Sequence, residues 1–222
     1  VQVGETPKLT WKINYPPAVL EVVDIDNPGG NPGAGGGGGG DGTITPKIKL
    51  YTEVRILGQG VTVQSGKSFS FVDTQALMSI GSSGFKEIFY GINPNINPAT
   101  VIKLKDIFGK TYNNNLVPAN TPLRFGGKYK YNGNWGAEYK SSDGNDNVRF
   151  LVNGEKPPSN IPDYNAPSLE SFIRPYLDSS GKVKIGPMDV IVFMELTHNS
   201  NQKSDVGYDL QDLVLLVTFR KP

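Results

Sequence analysis

The sequence contains no cysteine and a single histidine in 222 residues. The first absence excludes disulfide scaffolds, thiolate zinc sites and cysteine nucleophiles. The second excludes metal centres built from several imidazoles. No apolar run approaches the roughly 20 residues a membrane helix needs, and no Asn-x-Ser/Thr acceptor for N-glycosylation occurs. Charge of either sign is not in excess, since 22 Lys+Arg meet 21 Asp+Glu for a net charge of +1. That balance removes the basic footprint of a dedicated nucleic-acid binder. Neither nucleic acid nor membrane insertion is therefore expected. Glycine, in contrast, is abundant: 27 residues, ten of them between Gly29 and Gly42. Ten Phe, ten Tyr and two Trp supply the bulk for a core.

Near the start, Leu9, Trp11, Ile13 and Tyr15 alternate with Lys8, Thr10, Lys12 and Asn14, the period of a half-buried strand. Pro16-Pro17 ends it, because proline lacks the ladder donor. A second strand is predicted over 18–25. Residues 27–42, with six consecutive glycines at Gly35–Gly40, read as a linker, since glycine has the most backbone entropy to lose on ordering. The organisation expected is an N-terminal extension (1–26) carrying a candidate donor strand, a Gly-rich tether (27–42) and a β-sandwich domain (43–222).

Beyond the tether, period-2 patterning predicts strands over 44–57, 68–72, 87–92, 100–105, 123–131, 135–139, 148–152, 189–196 and 209–219. Asn132-Gly133 between Tyr131 and Trp135 signals a type I′ hairpin turn. Short helices are expected at 168–177, where Leu169, Phe172, Ile173, Tyr176 and Leu177 fall on one face, and at 74–80. Many short strands and little helix indicate an all-β fold, an antiparallel sandwich or jelly roll.

Candidate chemistry is sparse. His198 has no G-x-S-x-G elbow to serve and reads as an exposed loop histidine. The loop 141–147 lacks the distal Glu of an EF-hand and reads as a turn. Tyr129, Tyr131, Trp135 and Tyr139 cluster around one hairpin; they can stack on sugar rings or pack as cross-strand pairs. Glu195, Asp205, Asp209 and Asp212 would meet at one end of a hairpin formed by the last two strands. Carboxylates with loop carbonyls suit a hard cation such as Ca²⁺; the same aspartates can instead close Asx turns on loop amides.

The stretch Met194-Glu195-Leu196, followed by Asp205-Val206-Gly207-Tyr208-Asp209-Leu210-Gln211-Asp212-Leu213-Val214, resembles the C-terminal hairpin of LruC-like bacterial cell-surface β-sandwich domains. Those carry a Phe-Glu-Asp stretch and then Asp-x-Asp-Phe-Asn-Asp-Val/Leu-Val. Here Leu196 replaces an Asp, Gly207 an Asp, Leu210 an aromatic and Gln211 an Asn, and the match spans about twenty residues. The resemblance implies a secreted, non-enzymatic surface protein with calcium at Glu195, Asp209 and Asp212.

With no catalytic constellation, the expectation is an extracellular structural protein whose signal peptide has been removed. It would form a homopolymer, a filament, pilus-like fibre or matrix, by inserting Leu9, Trp11, Ile13 and Tyr15 into a neighbouring sandwich. The alternative is a monomeric calcium-dependent adhesion or carbohydrate-binding module.

Overall fold

Two antiparallel sheets face each other across one core in a computed structural model, which describes residues 20–23, 42–65, 67–156, 172, 174–205 and 207–222. The predicted donor strand, most of the glycine-rich tether and half of the predicted 168–177 helix lie outside the described residues. The elements run β1 (Leu20–Val23), β2 (Thr43–Pro46), β3 (Leu50–Gly58), β4 (Thr62–Ser65), β5 (Ser68–Phe71), β6 (Asp73–Ile80) and β7 (Lys86–Gly91). The short helix α1 (Leu104–Phe108) follows, then β8 (Leu116–Val117), β9 (Leu123–Tyr131), β10 (Asn134–Trp135) and β11 (Tyr139–Lys140). Last come β12 (Val148–Leu151), β13 (Asp189–Met194) and β14 (Leu213–Arg220). The first sheet has the order β1-β2-β9-β6-β7, with β10 and β11 also on β9; the second is β12-β13-β14-β3-β8. The all-β antiparallel sandwich expected from the patterning is the observed fold.

Strand alternation sets the core. Even-numbered residues of β3, β6, β12 and β13 and odd-numbered residues of β9 and β14 point between the sheets, among them Val54, Met78, Phe125, Phe150, Val192 and Leu215. Phe125 and Phe150 meet edge to face across the two sheets, ring centroids 6.2 Å apart, the arrangement that the ring quadrupole favours. The outer face of the second sheet is covered as well. Ile191, Phe193 and Val214 pack there against Tyr208, Leu210 and Val183, forming a second, smaller core. Phe172 seats in this layer, and its ring occupies the space a side chain at Gly58 would fill, 2.1–2.4 Å from that virtual Cβ.

Several local expectations are corrected by long-range pairing. The predicted helix over 74–80 is β6, bonded to β7 on one side and β9 on the other; a doubly paired central position outweighs the helical preference of Ala, Leu and Met. The predicted strand over 100–105 is instead a lead-in to α1: Ile102 N–H donates to Val54 C=O, and Asn115 Oδ1 accepts from Leu104 N–H. The 44–57 run divides at Pro46, after which the chain passes from the first sheet to the second. The 135–139 strand divides into β10 and β11. Of the 168–177 helix, the described part is one 3-10 turn, Arg174–Tyr176. The predicted turn forms as expected, with Asn132 and Gly133 at φ of 49° and 79°.

The glycine-rich stretch connects two strands that pair with each other. Val23 stands opposite Thr43 and Leu20 opposite Pro46. The second strand of the N-terminal extension therefore belongs to the sheet of its own chain.

Candidate functional site

The β13–β14 hairpin pairs Met194 with Leu213 in its last row. Glu195 and Asp212 flank that row immediately, and both are buried. The connection between them folds back, and Leu210, in the left-handed region at φ 55°, turns the chain so that Asp209 joins them. A leucine rarely adopts that conformation, which costs about 1–3 kcal/mol. Burial of its side chain in the second core holds it there.

Glu195 is fully buried. Its Oε1 accepts from Thr197 N–H (3.0 Å), Thr197 Oγ1 (2.7 Å) and His198 N–H (2.9 Å). Its Oε2 accepts from Asp209 N–H (3.0 Å) and Leu210 N–H (3.4 Å). One carboxylate thus joins both arms of the connection. Asp212 Oδ2 accepts from Leu196 N–H (2.6 Å) and Thr197 N–H (2.9 Å). Asp209 Oδ1 closes an Asx turn on Gln211 N–H at 3.0 Å. Oxygens of Glu195, Asp209 and Asp212 lie within 4.8 Å of one another, a cluster that can hold a metal ion.

Three carboxylates packed away from water repel one another. Burial, with the charge of Glu195 added and the Gln211 N–H opposing, raises Asp209 from 3.8 to about 6. Burial again leads for Asp212, reinforced by Glu195 and Asp209, and holds it well above the ordinary carboxylate range. The nearest base is His198, with Nδ1 3.4 Å from Glu195 Oε1 and Nε2 3.6 Å from Asp205 Oδ1. Its Nδ1 also lies 2.7 Å from Thr197 Oγ1.

The donor set is all oxygen, which fits a hard cation. The backbone N–H bonds of Asp209 and of Asp212 each fall on one oxygen, so the second oxygen of each is the one a cation would take. Glu195, with five donors on its two oxygens, acts mainly as the acceptor that orients the loop. Asn147 immediately precedes β12, is fully buried, and accepts the Glu195 N–H at its carbonyl (2.8 Å). Its Nδ2 donates to the carbonyls of Glu195 and His198 (2.9 and 2.6 Å), while its Oδ1 has no hydrogen-bond partner.

Three of the four acidic residues singled out by sequence converge. Asp205 does not join them; its half-exposed carboxylate faces His198 instead. Sequence reasoning missed Thr197 and Asn147, whose roles follow from backbone placement that no local pattern announces, and read His198 as exposed, whereas its ring is half-buried between Glu195 and Asp205. The loop 141–147 is a turn, as expected, and it docks on the candidate site: Tyr208 Oη donates to Asp146 C=O at 2.9 Å, and Lys203 pairs with the Asp146 carboxylate.

The four aromatics of the β9–β10–β11 hairpin separate. Tyr129 and Tyr139 pack against the main core. Tyr131 and Trp135 are each 43% exposed. They lie on opposite faces, because Trp135 pairs with Lys130 and Asn134 with Tyr131.

Compared with family models, curated proteins and solved structures, the chain matches none. Its function is therefore argued from its own geometry.

Proposed function

We propose that this protein is a non-enzymatic, extracellular structural subunit that joins copies of itself through its N-terminal strands, with Ca²⁺ at the carboxylate cluster stiffening the sandwich. The observation that carries this reading is the position of β1. Among the described residues it is the outermost strand of its sheet, bonded to β2 alone, and Leu9, Trp11, Ile13 and Tyr15 precede it in sequence. An edge strand with an amphipathic strand upstream offers unpaired backbone groups and large anchors to a neighbour. Residues 24–42, between Val23 and Thr43, are long and glycine-rich enough for the same β1–β2 pairing to form between chains, as in domain swapping.

The calcium part rests on the buried all-oxygen cluster. Asp209 and Asp212 supply the ligating oxygens, and Glu195 fixes the loop geometry. A divalent ion there offsets the buried negative charge of the two aspartates, which otherwise favours their protonated forms.

Removing residues 1–16 tests the assembly claim, because it deletes the four anchors and leaves β1 in place. The full chain forms oligomers in sedimentation velocity and fibres or sheets in negative-stain micrographs; the truncated chain sediments as a monomer. A full chain that stays monomeric at every concentration, or a truncated chain that assembles equally well, refutes it.

A further inference from the structure

Trp135 stands on the face of the first sheet that looks away from the core. It pairs with Lys130, and Lys130 pairs in turn with Asp73 of β6. One row along, Lys128, Gln75 and Tyr90 are aligned across β9, β6 and β7. Two strands, β9 and β6, separate the backbones of Trp135 and Tyr90, about 14 Å of sheet. Their rings nevertheless meet, centroids 5.9 Å apart and planes at 60°, so both side chains lean over the strands between them. They stay 43% and 44% exposed. Two large aromatics left this exposed side by side, with polar groups around them, are what a binding surface presents.

The charges around the rings cancel, with Lys128, Lys130 and Lys140 set against Asp73, Glu87 and Glu138. Glu138 is shared by Lys128 at 2.7 Å and Lys140 at 2.6 Å. Glu87 accepts from Gln75 Nε2 at 2.5 Å, and Asp73 from Tyr90 Oη at 3.1 Å. The ammonium groups of Lys128 and Lys130 lie 4.9 and 5.5 Å from the centre of the indole, within cation–π range. A third ring joins this chain of contacts, since Lys140 Nζ lies 5.4 Å from the centre of Phe85. From the Gly126–Lys140 row to the Lys130–Trp135 row the strip follows β9 over four residue steps, about 13 Å, longer than a single sugar.

That balance of charge selects the ligand. A nucleic acid or an acidic polysaccharide would bring negative charge that nothing here answers. A protein surface would strip water from six ionised groups, which the cores of interfaces avoid. A neutral polysaccharide does neither. Its hydroxyls donate to the carboxylates and accept from the ammonium groups as water does, and its C–H faces cover the exposed rings. In a β-1,4-linked glucan every ring substituent is equatorial, so the chain is an extended ribbon with C–H faces along its length. A ribbon suits a strip that follows one strand.

We propose that this face binds a neutral β-1,4-linked glucan, with Trp135 and Tyr90 as the stacking groups and the balanced lysines and carboxylates as its hydrogen-bonding partners. The site is separate from the carboxylate cluster and from the N-terminal strands, so its failure leaves those readings untouched, and theirs leaves it standing.

The full chain is titrated calorimetrically with cellohexaose, with maltohexaose, which is equally neutral but α-linked and coiled, and with single-stranded DNA. Cellohexaose binds about tenfold or more tightly than maltohexaose, and its affinity changes less than about twofold from low to high salt, because no net charge is matched. Trp135→Ala and Tyr90→Ala each lower the affinity by at least about tenfold. Tyr131→Ala, as exposed as Trp135 but on the opposite face of the same hairpin, leaves it unchanged. Circular dichroism checks the folding of each variant, and Tyr90→Ala decides the matter if Trp135→Ala fails to fold. No binding of cellohexaose, equal affinity for maltohexaose, a steep fall in affinity with salt, tighter binding of DNA, or unchanged affinity in Tyr90→Ala overturns the proposal.

Discussion

Asp209→Asn separates the charge of the buried cluster from its geometry. Asp209 Oδ1 accepts the Gln211 N–H at 3.0 Å, a bond the asparagine carbonyl retains, so the loop keeps its turn and loses one negative charge. Burial raises the Asp209 carboxyl from 3.8 to about 6. A carboxyl whose pKa is higher in the folded than in the unfolded chain binds its proton more tightly when folded. Its stabilising contribution is then complete below about pH 4 and is lost as pH rises through about 6. A rise of about two units corresponds to roughly 3 kcal/mol. The opposing effect of the Gln211 N–H is already contained in that rise. Without divalent cations, Asp209→Asn is therefore about 3 kcal/mol more stable than the natural chain at pH 8 and about equal to it at pH 4. For a chain of this length the gain is a Tm increase of about 6–12 °C. Thermal unfolding followed by circular dichroism at pH 4, 6 and 8 in chelator measures it. Repeating the series in millimolar Ca²⁺ reverses the order, because a ligand that binds the folded state stabilises the natural chain and the variant has lost a ligating carboxylate. If the advantage of the variant over the natural chain does not grow between pH 4 and 8 in chelator, the account of the cluster is wrong.

Glu195→Gln has the opposite sign. Five donors converge on its two oxygens, and an amide nitrogen placed among them leaves at least two buried N–H groups without an acceptor. A loss of about 2–5 kcal/mol follows, read from the midpoint and slope of urea unfolding; a midpoint like that of the natural chain would show that Glu195 is not the clamp described. Gly58→Ala drives a methyl group into the Phe172 ring and costs about 1–3 kcal/mol. In a Phe172→Ala background the same change is nearly silent, and strict additivity in that double-mutant cycle would contradict the packing.

How far local pattern reaches is clear from particular segments. The alternation in 123–131 predicts β9 with its bounds, and the inward and outward rows follow from the same period. Asn132-Gly133 predicts its turn because the positive φ requirement is local to two residues. The acidic residues flanking β13 and β14 were legible as a group, since a hairpin of known register must bring its two ends together. Their burial was not. It depends on Tyr208 and Leu210 covering the outer face of the sheet, and on Leu210 adopting a conformation that its own side chain disfavours.

Amino-acid order therefore specifies the strand class, the core-facing rows and the hairpin turns, because a two-residue period and a turn's dihedral angles need no distant partner. It does not specify the neighbour each strand finds. Residues 74–80 become a central strand because β7 and β9 lie on either side. Val23 meets Thr43 across the glycine-rich stretch, and Trp135 finds Tyr90 across the two intervening strands β9 and β6. Glu195 becomes a clamp because five donors from two chain segments surround it. Each of these is a long-range burial or pairing event, settled by which surfaces exclude water together. The glycine-rich stretch shows the division most plainly: its composition marks a connection that can be long and loose, and the sheet register alone shows that its two ends are bonded side by side.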